Sequence, residues 1–249
     1  MKITALIPSA GSGLRMGGDT RKQYIHIHEK PITAHTLQRF QGLSEISQII
    51  LIVPVEDIPF CEREIVSRYN ISKAVKVIAG GRERQDSVYN GIRALDGDED
   101  IVIVHDGVRP FATAEMIRES IRAASESGAA IVAIPAKDTI KSISSDGLVE
   151  KTVDRAKLWQ VQTPQTFRRE LLEEAYKKAM SEKFYGTDDS SLVERIDGRV
   201  MVVQGSEFNI KITTPRDLIL AEGIIRHFDK LSSVQHRTSN KENKITNYK

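Results

Sequence analysis

Cysteine is nearly absent from this 249-residue chain: Cys61 stands alone. That excludes an internal disulfide framework and any zinc site built only of cysteine. No apolar run approaches the roughly 18 residues of a membrane-spanning helix. The opening MKITALIPSAGSG starts as a secretory signal would, then breaks early into Gly and Ser, so it reads as a buried strand. A reducing, cytoplasmic setting without membrane contact is the expectation. Net charge is also scarce, with 36 Lys+Arg against 34 Asp+Glu, or +2. That is too little for a protein that wraps nucleic acid. The excess is local: residues 232–249 carry Arg237, Lys241, Lys244 and Lys249 against Glu242, and the rest of the chain is close to neutral. The histidines show neither HExxH nor finger spacing, and no GxxxxGK[ST] phosphate loop occurs.

What is present is ordinary in amount and ordered in pattern. Hydrophobic residues make up 40% and charged residues 28%, within the soluble globular range. The length is ample for a sizeable core. Short apolar runs at 3–8, 49–53, 74–79, 101–104 and 129–134 alternate with helical patterns at 31–40, 56–69, 84–95 and 113–127, the last capped by Thr113. Continuous apolar strands separated by helices predict a mostly parallel sheet covered on both faces, a three-layer α/β/α architecture. Further helices are expected at 169–180, near 188–196 and at 215–228, with a strand at 200–203 and a short one at 210–212.

Residues 138–161 break the alternation. Two short runs around Ser145-Asp146-Gly147 read as a hairpin, since Asp-Gly is a strong turn signal. A hairpin alone is marginal in water, so this arm needs a partner surface, which favours a homodimer. Residues 1–231 are expected to form one domain including the arm, with 232–249 a disordered basic tail.

Sheets of this kind bind ligands at the carboxyl ends of their strands. Three segments fall there. Ser9-Ala10-Gly11-Ser12-Gly13-Leu14-Arg15-Met16-Gly17 follows the first strand. Its glycines let backbone N–H groups approach a phosphate, with Arg15, Arg21 and Lys22 nearby. It is no dinucleotide fingerprint, because Met16 stands where the third glycine is required. A tight strand–helix turn with surface charges is the bland alternative. Gly80 to Ser87 follows the third strand with two glycines and two arginines, suited to a base or phosphate or simply to a charged first helical turn. His105-Asp106-Gly107-Val108-Arg109-Pro110 follows the fourth, where Asp106 suits magnesium when phosphates supply the other oxygens. Lys211, between Ile210 and Ile212, fits a cleft or a solvated strand face equally. Arg15, Lys22, Arg109 and Lys211 with Asp106 make a set suited to phosphoryl or nucleotidyl transfer. No side chain stands out as a covalent nucleophile, so the substrate's own phosphate would attack.

The motifs PSAGSGLRMGGDTRKQY (8–24), AGGRERQDSV (79–88), HDGVRPF (105–111), VDRAKLWQVQTPQTF (153–167), TDDSS (187–191) and NIKIT (209–213) resemble the 2-C-methyl-D-erythritol 4-phosphate cytidylyltransferase family, in order, over residues 1–228. The resemblance implies a Rossmann-like nucleotidyltransferase fold and a magnesium-dependent transfer of CMP from CTP to methylerythritol phosphate. It implies that Ala10, Gly11 and Gly13 with Arg15 and Lys22 cradle the CTP phosphates, and that Gly81, Arg84 and Ser87 hold the cytosine side. Asp106 would bind magnesium. Arg109, Thr139, Arg155, Thr163, Thr187 and Lys211 would hold the sugar phosphate, with Thr139 and Arg155 completing the partner's site across a homodimer. Arg15, Lys22 and Lys211 would be catalytic, stabilising the charge that develops. Ser9 stands where this family usually has Ala, Thr20-Arg21 where Pro usually precedes the lysine, and Val108 where Ala is commoner. The related ribitol-5-phosphate cytidylyltransferases often carry Val there and share the CTP loops, which makes them the alternative. An adenylyl or uridylyl transferase of the broader group is another. A nucleotide-sensing domain without activity would predict loss of Lys22, Asp106 or Lys211, and all three are present.

Overall fold

The computed structural model describes residues 1–11 and 21–228. Gly13, Arg15 and the 232–249 tail therefore lie outside the described residues. The chain runs through β1 (Ile3–Pro8), β2 (His26–Ile27), β3 (Lys30–Pro31), α1 (Ile32–Gln41), β4 (Gln48–Val53), α2 (Ile58–Phe60), β5 (Ala74–Ala79), α3 (Arg84–Arg93) and β6 (Ile101–Val104). It continues through α4 (Ala114–Ser127), β7 (Ala129–Pro135), β8 (Ile140–Ile143), β9 (Val149–Val153), β10 (Trp159–Arg168), α5 (Arg169–Ser181), α6 (Asp189–Glu194) and β11 (Val200–Gln204). A last helix, α7, spans residues 215–228.

Seven strands form one sheet in the order β11-β7-β10-β6-β1-β4-β5. All pairings are parallel except those of β10, which is antiparallel to both β6 and β7. The apolar runs fill it from the inside: every residue of β4 and β6 is buried. Alternation along β1 sends Ile3, Ala5 and Ile7 to one face and Leu6 to the other. The first face packs against Leu37 and Phe40 of α1 and Ile117 and Ile121 of α4. The second packs against Val88 and Ile92 of α3, Leu172 and Tyr176 of α5, and Leu192 of α6. The result is the expected three-layer arrangement. Thr113 caps α4 by accepting from the Met116 N–H at 3.1 Å. No helix among the described residues is long and apolar enough to cross a membrane.

The structure departs from the sequence reading in three places. Residues 56–69 are not one α-helix: a 3-10 turn (Val55–Asp57) leads into α2 and then a π-helix, Cys61–Ser67. Pro59 supplies no N–H to the first turn. Residues 210–212 form no strand; where a strand would make a ladder, one backbone bond, Ile212 N–H to the Val108 carbonyl at 2.9 Å, holds them to the body. Finally, residues 159–161 belong to the central sheet, not to the arm. They open β10, a ten-residue strand that the sequence hides behind Gln, Thr and Pro164. Its buried polar groups are paired: Thr166 with Ser120 at 2.8 Å, and Gln165 with Asp188 at 2.7 Å. The arm itself, β8 and β9, is a separate antiparallel ribbon whose residues are all exposed or half-buried.

Candidate active site

A pocket of about 320 Å³ opens where β1, β5 and β6 end. Parallel strands bring their carboxyl ends to one edge, so three distant loops meet there. Backbone bonds carry the sheet into them: Ser9 N–H to the Ile52 carbonyl at 2.7 Å, Gly80 N–H to Val53 at 2.8 Å, and Gly107 N–H to Pro8 at 3.1 Å. The loops pack so closely that a Cβ on Gly80 would overlap the Ala10 methyl, and one on Gly107 the Ser9 hydroxyl. Gln23 ties the first loop down, donating to the Ser9 carbonyl at 2.8 Å and the Gly11 carbonyl at 3.3 Å. Ala10, Gly11 and Lys22 line one wall of the pocket. Gly81, Arg84 and Ser87 line another, and Asp106 and Lys211 its floor. A capping box between Glu83 and Asp86 starts α3 and sets Arg84 in its first turn.

Asp106 is the centre of charge. It is 5% exposed. One carboxylate oxygen accepts from Arg84 Nε at 3.0 Å; the other meets Lys211 Nζ at 2.9 Å and Arg109 Nε at 3.4 Å. Burial works to raise its pKa, but Arg84, then Lys211 and Arg109, outweigh that and hold it far below the usual carboxylate range. Asp106 is thus a fixed anion at any working pH. Lys211 is brought in by the 209–212 segment, which is fastened at Ile212 and again where Arg109 donates to the Asn209 carbonyl at 2.8 Å.

A closed hydrogen-bond circuit holds the Asp106 turn from beneath. The Asp106 N–H donates to the Thr163 hydroxyl at 3.1 Å. That hydroxyl donates to His105 Nδ1 at 3.1 Å, and His105 Nε2–H donates to the Arg109 carbonyl at 2.9 Å. Burial pushes the His105 pKa down to about 4, so the ring is neutral and has one acceptor and one donor to spend in this way.

Not every residue named from the sequence lies on the pocket wall. Thr163 is 4% exposed, with its hydroxyl used up in that circuit; it sits under the site. Arg84 does line the pocket, but its guanidinium is committed to two carboxylates, Asp106 and the buried Asp189, whose oxygen lies 2.8 Å from Nη2. Thr139 and Arg155 are exposed at the base of the arm, where Arg155 donates to the Lys137 carbonyl. Thr187 is exposed just before α6. Three supporting residues escaped the sequence reading. Gln23 lies inside a motif but carries no local signal. Asp189 is the second of two adjacent aspartates, and nothing in the sequence separates a buried one from a solvated one. Tyr176 looks like any apolar-stripe residue of α5, yet its hydroxyl donates to Asp189 at 2.5 Å.

Residues 3–227 match the model of a family described as 2-C-methyl-D-erythritol 4-phosphate cytidylyltransferase. The chain is 49% identical over 225 residues to the protein of that name from Syntrophus aciditrophicus, covering 90% of this chain and 96% of the relative. It is 47% identical over 234 residues to the one from Clostridioides difficile, covering 94% and 98%. Among solved structures, 4-diphosphocytidyl-2C-methyl-D-erythritol synthase from Anaerococcus prevotii matches with a TM-score of 0.79 at 35% identity, covering 90% of this chain and 98% of that one. The Francisella tularensis 2-C-methyl-D-erythritol 4-phosphate cytidylyltransferase matches at 0.77 and 32%, covering 90% and 100%.

Proposed function

This chain belongs to the 2-C-methyl-D-erythritol 4-phosphate cytidylyltransferase family, and we propose that the pocket around Asp106 is where it performs that reaction. The enzyme moves CMP from CTP to methylerythritol phosphate and releases pyrophosphate. An oxygen of the acceptor phosphate forms a bond to the α-phosphorus as the bond from that phosphorus to the bridging oxygen of the β-phosphate breaks. The electron pair leaves on pyrophosphate. Both reactants are anions, so the protein's work is to neutralise, align and exclude water. One observation supports this placement above others: Arg84, Arg109 and Lys211 converge on a single buried, ionised carboxylate at the strand ends.

Within that pocket Ala10 and Gly11 offer backbone to the CTP phosphates, and Lys22 faces them from the same wall. Gly13 and Arg15 belong to the same loop by sequence. Gly81 and Ser87 sit where the base would enter. Lys211 and Arg109 are placed to exchange Asp106 for the phosphates of the reactants, and Lys22 and Lys211 to hold the charge that builds on them. Thr187 lies outside the pocket lining and, in this reading, helps to hold the acceptor phosphate. Asp106 also suits magnesium. An ionised carboxylate offers about four acceptor positions, and its described cations occupy three of them. With phosphate oxygens completing the shell, one such carboxylate is what this ion requires of a protein. Bound there, magnesium would supply positive charge to the phosphate oxygens.

Residues up to about 231 act in this reading as one catalytic unit, and the arm joins two of them. Ile143, Leu148 and Val149 stand exposed on a two-stranded ribbon that has no face of its own to bury them. A second copy of the chain would cover them and receive Thr139 and Arg155. The test is pyrophosphate release from CTP with magnesium, using methylerythritol phosphate and ribitol 5-phosphate as acceptors. A strong preference for the first is expected. Preference for ribitol 5-phosphate would move the acceptor assignment, and no release with either would overturn the reading.

A further inference from the structure

Arg84 is shared between two buried carboxylates that do different things. Asp106 lines the pocket. Asp189, 1% exposed in the first turn of α6, does not. It accepts from Arg84 Nη2 at 2.8 Å and, through its other oxygen, from the Tyr176 hydroxyl at 2.5 Å. Tyr176 is itself fully buried on α5 and stacked on Tyr89 of α3, ring centroids 6.1 Å apart and ring planes nearly parallel. A line of contacts therefore runs from the core to the pocket floor: Tyr176, Asp189, Arg84, Asp106. A guanidinium is a planar fork that readily takes both oxygens of one carboxylate. Here it does not. Nε alone reaches Asp106, and Nη2 points away to Asp189.

We propose that Asp189 is a positioning residue for nucleotidyl transfer: it holds the Arg84 guanidinium turned, so that Asp106 gives Arg84 one oxygen and keeps acceptor capacity for the pocket. The inference rests on the cytidylyltransferase reading of the pocket. Without the Asp189 charge, Arg84 can swing to pair with both Asp106 oxygens. That competes with Lys211 and Arg109 for the same anion and closes its remaining acceptor position. Asp189 touches no reactant, so its effect must pass through Arg84.

A double-mutant cycle tests this. Asp189→Asn, Arg84→Gln and the double variant are compared with the wild type in kcat and KM, and in CTP affinity by calorimetry with magnesium present. The double variant removes both charges together and leaves neither unpaired, which keeps a folded reference should either single variant melt early. Asp189→Asn is expected to lower kcat/KM by about tenfold or more, within the range of directly coupled neighbours. In the Arg84→Gln background the same change should alter it by less than about twofold. Equal losses in both backgrounds, with the variants folded, would overturn the proposal, because Asp189 would then act without Arg84. If the wild type itself fails to turn over methylerythritol phosphate, the pocket reading fails. The coupling in CTP affinity then still decides for or against Asp189.

Discussion

The Ser9 hydroxyl lies where a Cβ on Gly107 would stand. It is buried and has no hydrogen-bond partner among the described residues. Two loops of the site, after β1 and after β6, thus touch through a polar atom that gains nothing from the contact. An unpaired buried hydroxyl costs about 1–3 kcal/mol. Ser9→Ala, the residue usual at this place in the resembling family, should stabilise the protein by about 1 kcal/mol and raise Tm by about 2–4 °C. Turnover should stay the same. Gly107→Ala should do the reverse, since its methyl has nowhere to go. Thermal melts of both variants decide it; a lower Tm for Ser9→Ala would mean the hydroxyl is satisfied after all.

Asp106→Asn should cost stability as well as turnover. The carboxylate restrains three cations at once. Arg84, Arg109 and Lys211 would face one another without their shared anion. Breaking a fully buried pair costs about 3–5 kcal/mol. The part exposure of Arg84 and Lys211 brings this closer to about 2 kcal/mol. CTP phosphates should replace the lost charge, so the Tm deficit should narrow in CTP. A variant that melts with the wild type and turns over at a similar rate would take Asp106 out of the centre of the site.

Thr163→Val should be far worse than Thr163→Ser. Valine keeps the shape but abandons both the Asp106 N–H and His105 Nδ1, two buried groups with no other hydrogen-bond partner among the described residues. The expected loss is about 1–3 kcal/mol, together with a fall in turnover as the Asp106 turn loosens. Serine restores both bonds. Equal behaviour of the two variants would show that the hydroxyl does not matter.

Mixing Arg155→Ala with Lys22→Ala, each inactive or weak alone, should recover activity. In a hybrid dimer one pocket keeps its own Lys22 and receives a wild-type arm. Subunit exchange is verified by tagged copies on a sizing column. Proven exchange without recovery would count against a site shared between subunits.

Acid should destabilise the protein well above the range in which carboxylates titrate. Burial of His35, with Lys30, Arg39 and His28 nearby, holds its pKa below the ordinary 6.5, against the smaller pull of its bond to the Ile27 carbonyl at 2.8 Å. His105 moves the same way, to about 4. The unfolded chain therefore binds these protons before the native one does. The stabilisation is complete above pH 6.5 and is lost as pH falls towards the native values. Tm should be flat above pH 7 and decline from about 6.5 downward. His35→Gln should make that decline shallower. An unchanged slope would remove His35 from the account.

The strands with no polar face, β1, β4, β6 and β7, could be read from the sequence because burial on both sides leaves a continuous apolar run. Once they were parallel, geometry alone delivered the loops after β1, β5 and β6 to one edge, and with them Lys22, Arg84 and Asp106. β10 could not be read that way. Its inner side chains are Gln162, Thr163, Gln165 and Thr166, and what makes them fit to bury is contact with Asn209, His105, Asp188 and Ser120, distant in the chain. The same holds for Asp189, whose meaning lies in Arg84 and Tyr176. Lys211 is half legible: the apolar Ile212 beside it is buried, as the pattern implies, but a backbone bond and not a strand holds it there.

The antiparallel strand of the seven-stranded sheet, β10, also sets an order of events at the ribosome. β1, β4, β5 and β6 are complete by residue 104 and can pair with one another as they emerge. Among the described residues the outer edge of β6 has one partner strand, and it starts at Trp159. Until β10 has been synthesised, a four-stranded parallel sheet must wait with that hydrogen-bonding edge open, the condition under which nascent chains pair with the wrong neighbour. The polar make-up of β10 suits a strand that must stay soluble until it docks, and makes it the latch that joins β7 and β11 to the part already folded.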